Sequence, residues 1–149
     1  MMNRLLISIA LFSVLTIPAL SQTGKITGKL TYPSDYIPPK MVLCVEKSIG
    51  SMNVFCSNNT ASRLRRAKIK FYLNHNAASY QIRLPAGKYF IFATFPDGKA
   101  PTGDMEGVKA YYNEFVKCGM SVECKSKKPI ALVVRSGRSV RGITVGDWY

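Results

Sequence analysis

Strict alternation of apolar and polar side chains recurs along this chain, and it constrains the fold more than any other feature. In G-K-I-T-G-K-L-T-Y, Ile26, Gly28 and Leu30 share one face, and Thr27, Lys29 and Thr31 share the other. A period of two with one apolar face predicts a half-buried strand. Met41 to Glu46 predicts a second strand with Met41, Leu43 and Val45 inward, returning through a turn at 48–51 into Asn53 to Ser57. Ala67 to Leu73 alternates again, with Ile69, Phe71 and Leu73 inward and Lys68, Lys70 and Tyr72 outward. Tyr80 to Leu84, Lys88 to Phe95, Ile130 to Arg135 and Val140 to Val145 complete the set, the last two read as a final hairpin after Pro129. Polar, proline-rich or glycine-rich segments separate them: 33–40, 57–62, 74–76, 85–87 and 96–104. About eight short strands with frequent turns predict an all-β fold, an antiparallel sandwich of the immunoglobulin-like or prealbumin-like kind with about 7–8 strands. One short helix is expected within Met105 to Lys117, where Val108, Tyr111, Tyr112 and Phe115 fall at helical spacing.

The chain starts with Arg4 ahead of an apolar run from Leu5 to Ile17, followed by P-A-L-S-Q. A run of that length suits a signal-peptide core and falls short of the roughly 20 residues that span a bilayer. Small residues at Ala19 and Ser21 place cleavage before Gln22. We therefore expect residues 1–21 to be a signal peptide and 22–149 to form one exported sandwich domain, secreted or periplasmic.

Four cysteines, Cys44, Cys56, Cys118 and Cys124, lie beyond that leader. An even count in an exported chain reads as disulfides, and four cysteines permit three pairings. Proximity favours Cys44–Cys56 and Cys118–Cys124. Zinc sites want cysteine pairs two to four residues apart, and redox pairs want Cys-x-x-Cys. The gaps here match neither. No metal or other cofactor is expected. Asp97, Asp104 and Glu106 are loop acids whose oxygens suit a hard cation, but a helix start explains Asp104 equally simply. His75, in an Asn-His-Asn turn, reads as a solvated turn residue, and no nucleophile signature accompanies it. No reaction is expected, so the chain reads as non-enzymatic.

Lys and Arg number 21 against 8 Asp and Glu, and removing Arg4 with the leader leaves 20 − 8 = +12. Such a balance favours acidic partners. The densest run is R-L-R-R-A-K-I-K. Arg63, Arg65, Arg66, Lys68 and Lys70, with Tyr72 beside them, form the candidate surface for an anionic ligand. An anionic glycan, a lipid headgroup or a protein partner would suit it, and nucleic acid is not excluded. A solvated outer face serves as the plainer account, since lysines also protect an edge strand. Tyr111, Tyr112, Phe115 and Trp148 would line a sugar platform or, more simply, close the core. An accessory scaffold without a ligand and a secreted enzyme inhibitor are the other readings.

L-P-A-G-K-Y-F-I-F-A, with Tyr80, Ile82, Leu84, Pro85, Ala86, Gly87 and Tyr89, resembles a hairpin of the carboxypeptidase regulatory-like, or prealbumin-like, β-sandwich modules. Leu132, Val134, Gly137, Val140, Gly142 and Ile143 resemble their terminal hairpin. The segment Y-Y-N-E-F-V-K-C-G-M-S-V-E-C, together with the ending D-W-Y, is similar to a group of exported bacterial proteins with such modules. The resemblance implies a sandwich and no particular activity, because such modules serve as spacers and as binders. It does not bring the hydroxyisourate hydrolase activity of the prealbumin fold. That activity needs more histidines than His75 and a different C-terminal tetrapeptide from Gly-Asp-Trp-Tyr.

Overall fold

The computed structural model describes residues 23–34 and 36–149. The expected signal peptide, 1–21, lies outside the described residues, as does Asp35. Strand β1 is Thr23–Leu30, β2 Val42–Glu46 and β3 Val54–Cys56. Helix α1 is Ala61–Ala67. Strands β4 Lys70–Asn74, β5 Ser79–Pro85 and β6 Gly87–Thr94 follow. Two-residue strands β7 Lys99–Ala100, β8 Gly103–Asp104 and β9 Ala110–Tyr111 lead to helix α2, Glu114–Cys118. Strands β10 Leu132–Val134 and β11 Ser139–Val145 end the chain.

The expected all-β sandwich is what forms. One sheet has the order β11-β1-β5-β4, and the other has β10-β6-β2-β3, with β9 also paired to β6. Their facing sides bury Ile26, Leu43, Val45, Ile82, Leu84, Ile91, Val134 and Val145. Ile26, Leu43 and Val45 among them are inward positions that the alternation predicts. Burying each such side chain contributes roughly 1.5–3 kcal/mol, which is how a sheet with one greasy face is driven onto another.

Two connections differ from the expected hairpins. β5 and β6 flank Pro85-Ala86-Gly87 yet lie in different sheets, and so do β10 and β11. Both motifs are therefore arches that carry the chain across the core. Tyr89 fastens the first arch by donating its hydroxyl to the Pro85 carbonyl at 3.1 Å. Because β11 arrives by an arch, it is free to lie parallel to β1, and it does so, with a bulge between Ile26 and Gly28. Gly28 is required at that bulge. A Cβ there would sit 1.7 Å from the Ile143 carbonyl oxygen.

Ala61–Ala67, which takes in the end of the expected loop and the first half of the basic run, forms a helix, not a loop and outer strand. Thr60 caps α1 by accepting from the Arg63 N–H, and Lys68 closes it in a left-handed turn with φ 56°. Ala, Leu and Arg are strong helix formers, and Thr is a good cap, so local propensity wins here over a short alternating pattern. Leu64 and Ala67 pack on the core. The helix thus bridges β3 and β4, the adjoining edges of the two sheets.

The helix expected within Met105 to Lys117 is shorter than the spacing suggested. Gly107 takes a positive φ of 72°, β9 runs along β6, and only Glu114–Cys118 is helical. Asp104 accordingly sits in a strand and starts no helix. Asn113 caps α2 through its side-chain oxygen, which accepts from the Val116 N–H at 2.9 Å.

Both favoured cysteine pairs are present. Cys44 and Cys56 face one another in register across β2 and β3, and Cys118 and Cys124 close the loop after α2. The first bridge lies with Val42, Phe92, Val54 and Tyr111 in a small cluster on the outer side of its sheet. Glu46 is buried beside that cluster. It accepts the Tyr111 hydroxyl at 2.5 Å and pairs with the Lys109 ammonium at 3.5 Å. Burial first, and Glu46 second, push the Tyr111 phenol above the ordinary tyrosine range.

Candidate functional site

The outward positions of the first sheet follow from its inward ones. With Ile26, Ile82 and Phe71 facing the core, Lys25, Arg83 and Lys70 must face away from it. The ladder then sets these three side by side. Lys70 pairs with Arg83 across β4 and β5, and Arg83 pairs with Lys25 across β5 and β1. Ser139 of β11 continues the same row beyond Lys25. A second row runs Tyr72, Gln81, Thr27. A third runs Asn74, Ser79, Lys29, Thr144. Exposed Arg141 lies in the bulge alongside Thr27.

Charge on this sheet is of one sign. Lys25, Lys29, Lys70, Arg83 and Arg141 lie on its strands, and no Asp or Glu lies on β1, β4, β5, β11 or α1. Among the described residues, the ion pairs join Lys40 to Asp97, Lys109 to Glu46 and Lys127 to Asp147, so none neutralises this face. Like charges directly opposed across strands are unfavourable by a few tenths to about 1 kcal/mol per pair. The row Lys70–Arg83–Lys25 contains two such pairs in succession.

The predicted surface residues are distributed differently from a single flat face. Arg63 is engaged in the fold: its guanidinium donates to the Val54 carbonyl at 3.0 Å and stands 5.3 Å over the Phe55 ring. Arg65 and Arg66 are exposed in the last turn of α1, and Lys68 is its exposed cap. Lys70 and Tyr72 lie on β4, where the Lys70 ammonium sits 5.0 Å from the centre of the Tyr72 ring. Tyr72 is 41% exposed. The chain therefore carries basic side chains from the end of α1 directly onto the cationic row. Lys25, Lys29, Arg83 and Arg141 belong to the same face and were not singled out by sequence reasoning. The local signal for Lys25, Lys29 and Arg83 is that each stands next to a buried residue.

At the far end of the row, Thr23, Gly24, Lys25, Arg83, Gly137, Arg138 and Ser139 line a shallow cavity of about 210 Å³. Its rim is tied down by backbone bonds, Lys25 N–H to the Arg138 carbonyl at 2.9 Å and Gly137 N–H to the Thr23 carbonyl at 3.2 Å.

The other candidates are placed as follows. His75 borders a cleft of about 630 Å³, with Tyr32, Tyr36, Ile37 and Asn76, and its Nε2 lies 3.3 Å from the Met41 carbonyl oxygen. That contact makes it less free than a solvated turn residue. Asp97 pairs with Lys40 at 3.1 Å, and that hydrogen bond holds its carboxyl below the usual range. Asp104 accepts from the Glu106 N–H. No group of three or more metal-ligating side chains occurs among the described residues. Trp148 is buried edge-on to Tyr32 at 5.3 Å and beside Phe95, so it closes the core. Tyr112 packs against the same core, Tyr111 covers Phe92, and Phe115 is half-buried under the Lys127 ammonium. These aromatics do not converge on a platform.

Compared with models of known families, with characterised proteins and with solved structures, the chain has no match in any of the three.

Proposed function

We propose that this chain is an exported, non-enzymatic β-sandwich that binds an anionic glycan of the cell envelope through the outer face of its first sheet. The observation that carries the reading is the row Lys70–Arg83–Lys25, set in register with no acid on the sheet. Such a row is unfavourable by itself and becomes favourable when a polyanion lies across it. Adjacent strands are about 4.8 Å apart, so the row from Lys70 to Ser139 offers roughly 14 Å of contact. Arg65, Arg66 and Lys68 extend it at the α1 end. Two disulfides suit an oxidising compartment, which supports export. The resemblance to carboxypeptidase regulatory-like modules belongs to the same proposal and adds no activity to it.

A glycan is favoured over nucleic acid by the aromatic count on this face. Tyr72 is the one aromatic at its outward positions, whereas single-strand binders stack successive bases on several rings.

The test is binding to immobilised heparin and to lipopolysaccharide across a salt series. Affinity should fall steeply with salt, and replacing Lys70 and Arg83 together with Gln should flatten the slope by about two charges. Binding that ignores salt, or none at low salt, removes the proposal in favour of a scaffold without a ligand. Tighter binding to an oligonucleotide reassigns the face to nucleic acid.

A further inference from the structure

At its β1–β11 end the cationic row meets a shallow cavity. There, Lys25 and Arg83 are direct cross-strand partners, and Ser139 is the next partner of Lys25. Arg138 precedes Ser139 and is held against β1 by its carbonyl, which accepts the Lys25 N–H. Three cationic side chains and the hydroxyls of Thr23 and Ser139 thus border one cavity, and no carboxylate lines it. Its volume of about 210 Å³ corresponds to roughly seven waters at about 30 Å³ each. That is room for one tetrahedral oxyanion with some of its water.

We propose that this cavity is a subsite for a phosphate or sulfate monoester, the charged group of the glycan that the row would hold. It deepens the reading above and rests on it for the remainder of the ligand. Guanidinium forks suit the paired oxygens of a tetrahedral anion, and a lysine adds a point charge. The esterified group enters between Arg83 and Arg138, and the chain it terminates or branches from leaves along Arg83 and Lys70 toward Tyr72. The ring of Tyr72, one row along, lies beside that track.

The test is an amide chemical-shift titration of the disulfide-bonded protein with methyl phosphate and, separately, methyl sulfate. Shifts should concentrate at Lys25, Arg83, Arg138 and Ser139. Arg138→Gln and Arg83→Gln, both exposed positions, should each weaken binding by about tenfold, as expected for loss of a charge-assisted bond. The ester type is separable by pH. The cavity is lined by lysine, arginine, hydroxyl and glycine residues, with no histidine or carboxylate, whereas a phosphate monoester gains its second charge near pH 6. Affinity that rises over this interval for phosphate assigns a phosphomonoester. Equal or tighter sulfate binding, flat with pH, assigns a sulfate ester. Shifts spread evenly over Lys29, Lys70 and Arg66, or Gln variants that bind like the parent, overturn the subsite. Heparin binding with no focus at the cavity sinks the subsite alone. A focused monoester response without heparin binding sinks the glycan reading alone.

Discussion

Asn113 donates its side-chain amide to the Asp147 carboxylate at 2.6 Å, and both residues are buried. The same Asn113 caps α2, so one side chain ties the disulfide-closed loop to the end of the chain. Lys127 completes the clamp by pairing with Asp147 at 3.3 Å. The next residue, Trp148, donates its indole N–H to the Thr31 carbonyl at 2.6 Å. Y-Y-N-E-F-V-K-C and D-W-Y, distant in sequence, are therefore two halves of one latch.

Asn113→Ala removes a helix cap and leaves a buried carboxylate short of a donor. Loss of about 2–4 kcal/mol is expected. Urea melts followed by the fluorescence of the one tryptophan, Trp148, will measure it, since that ring sits on the latch. A change within a few tenths of a kcal/mol would mean that the clamp is incidental.

The two disulfides should differ in reactivity. Cys44 is fully buried, whereas Cys118 is exposed and Cys124 partly so. Graded reductant with mass-spectrometric trapping should open Cys118–Cys124 first, because exchange needs access for the attacking thiolate. Replacing Cys44 and Cys56 with Ala should cost about 3 kcal/mol from loop entropy, with a further loss from the space left beside Phe92. Replacing Cys118 and Cys124 should cost less, since the loop is shorter and no packed cluster is disturbed.

Tyr80 predicts an alkaline limit. Its hydroxyl donates to the Ile143 carbonyl at 2.9 Å, and burial, with Tyr112 second, holds its phenol well above the ordinary range. The unfolded chain loses this proton first, near pH 10, while the folded state keeps it. The contribution is full below pH 10 and declines at about 1.4 kcal/mol per pH unit as pH rises beyond it. Tyr80→Phe should lose about 1–2 kcal/mol at neutral pH and decline less steeply above pH 10. Parallel stability–pH curves for the two proteins would contradict this.

Arg83 stands between two cations, so Arg83→Gln should stabilise the ligand-free protein. A gain of about 0.5–1 kcal/mol is expected at about 0.01 M salt, where the screening length is about 30 Å, and it should vanish near 1 M. Thermal melts at both salt levels decide it. Stability gained together with binding lost would mark the row as kept for a ligand.

Much of the fold was legible because burial on one face imprints a period of two. Ile26, Leu43 and Val45 face inward as that pattern predicts, and the two cysteine pairs are the ones that proximity favours. The basic run was legible as a charge excess but not as a shape. Ala61–Ala67 became a helix because propensity and the Thr60 cap outweigh a few alternating residues, and Arg63 was drawn into contacts with β3. The short helix after Met105 was overread because Val108, Tyr111, Tyr112 and Phe115 are spaced for one, while pairing of β9 with β6 takes most of the segment.

What the amino-acid sequence determined by itself is which residues of the alternating segments point inward, which cysteine pairing is favoured and that the chain carries a large positive charge. These depend on near neighbours in the chain and on composition. Which strands share a sheet was decided only by tertiary structure. The Pro85-Ala86-Gly87 and 135–138 connections look the same locally whether they turn back within a sheet or arch across the core. Register is likewise a long-range property. Lys25, Lys70 and Arg83 become one row because three strands, separated by dozens of residues, align in one phase, and Arg138 joins them because β11 lies parallel to β1.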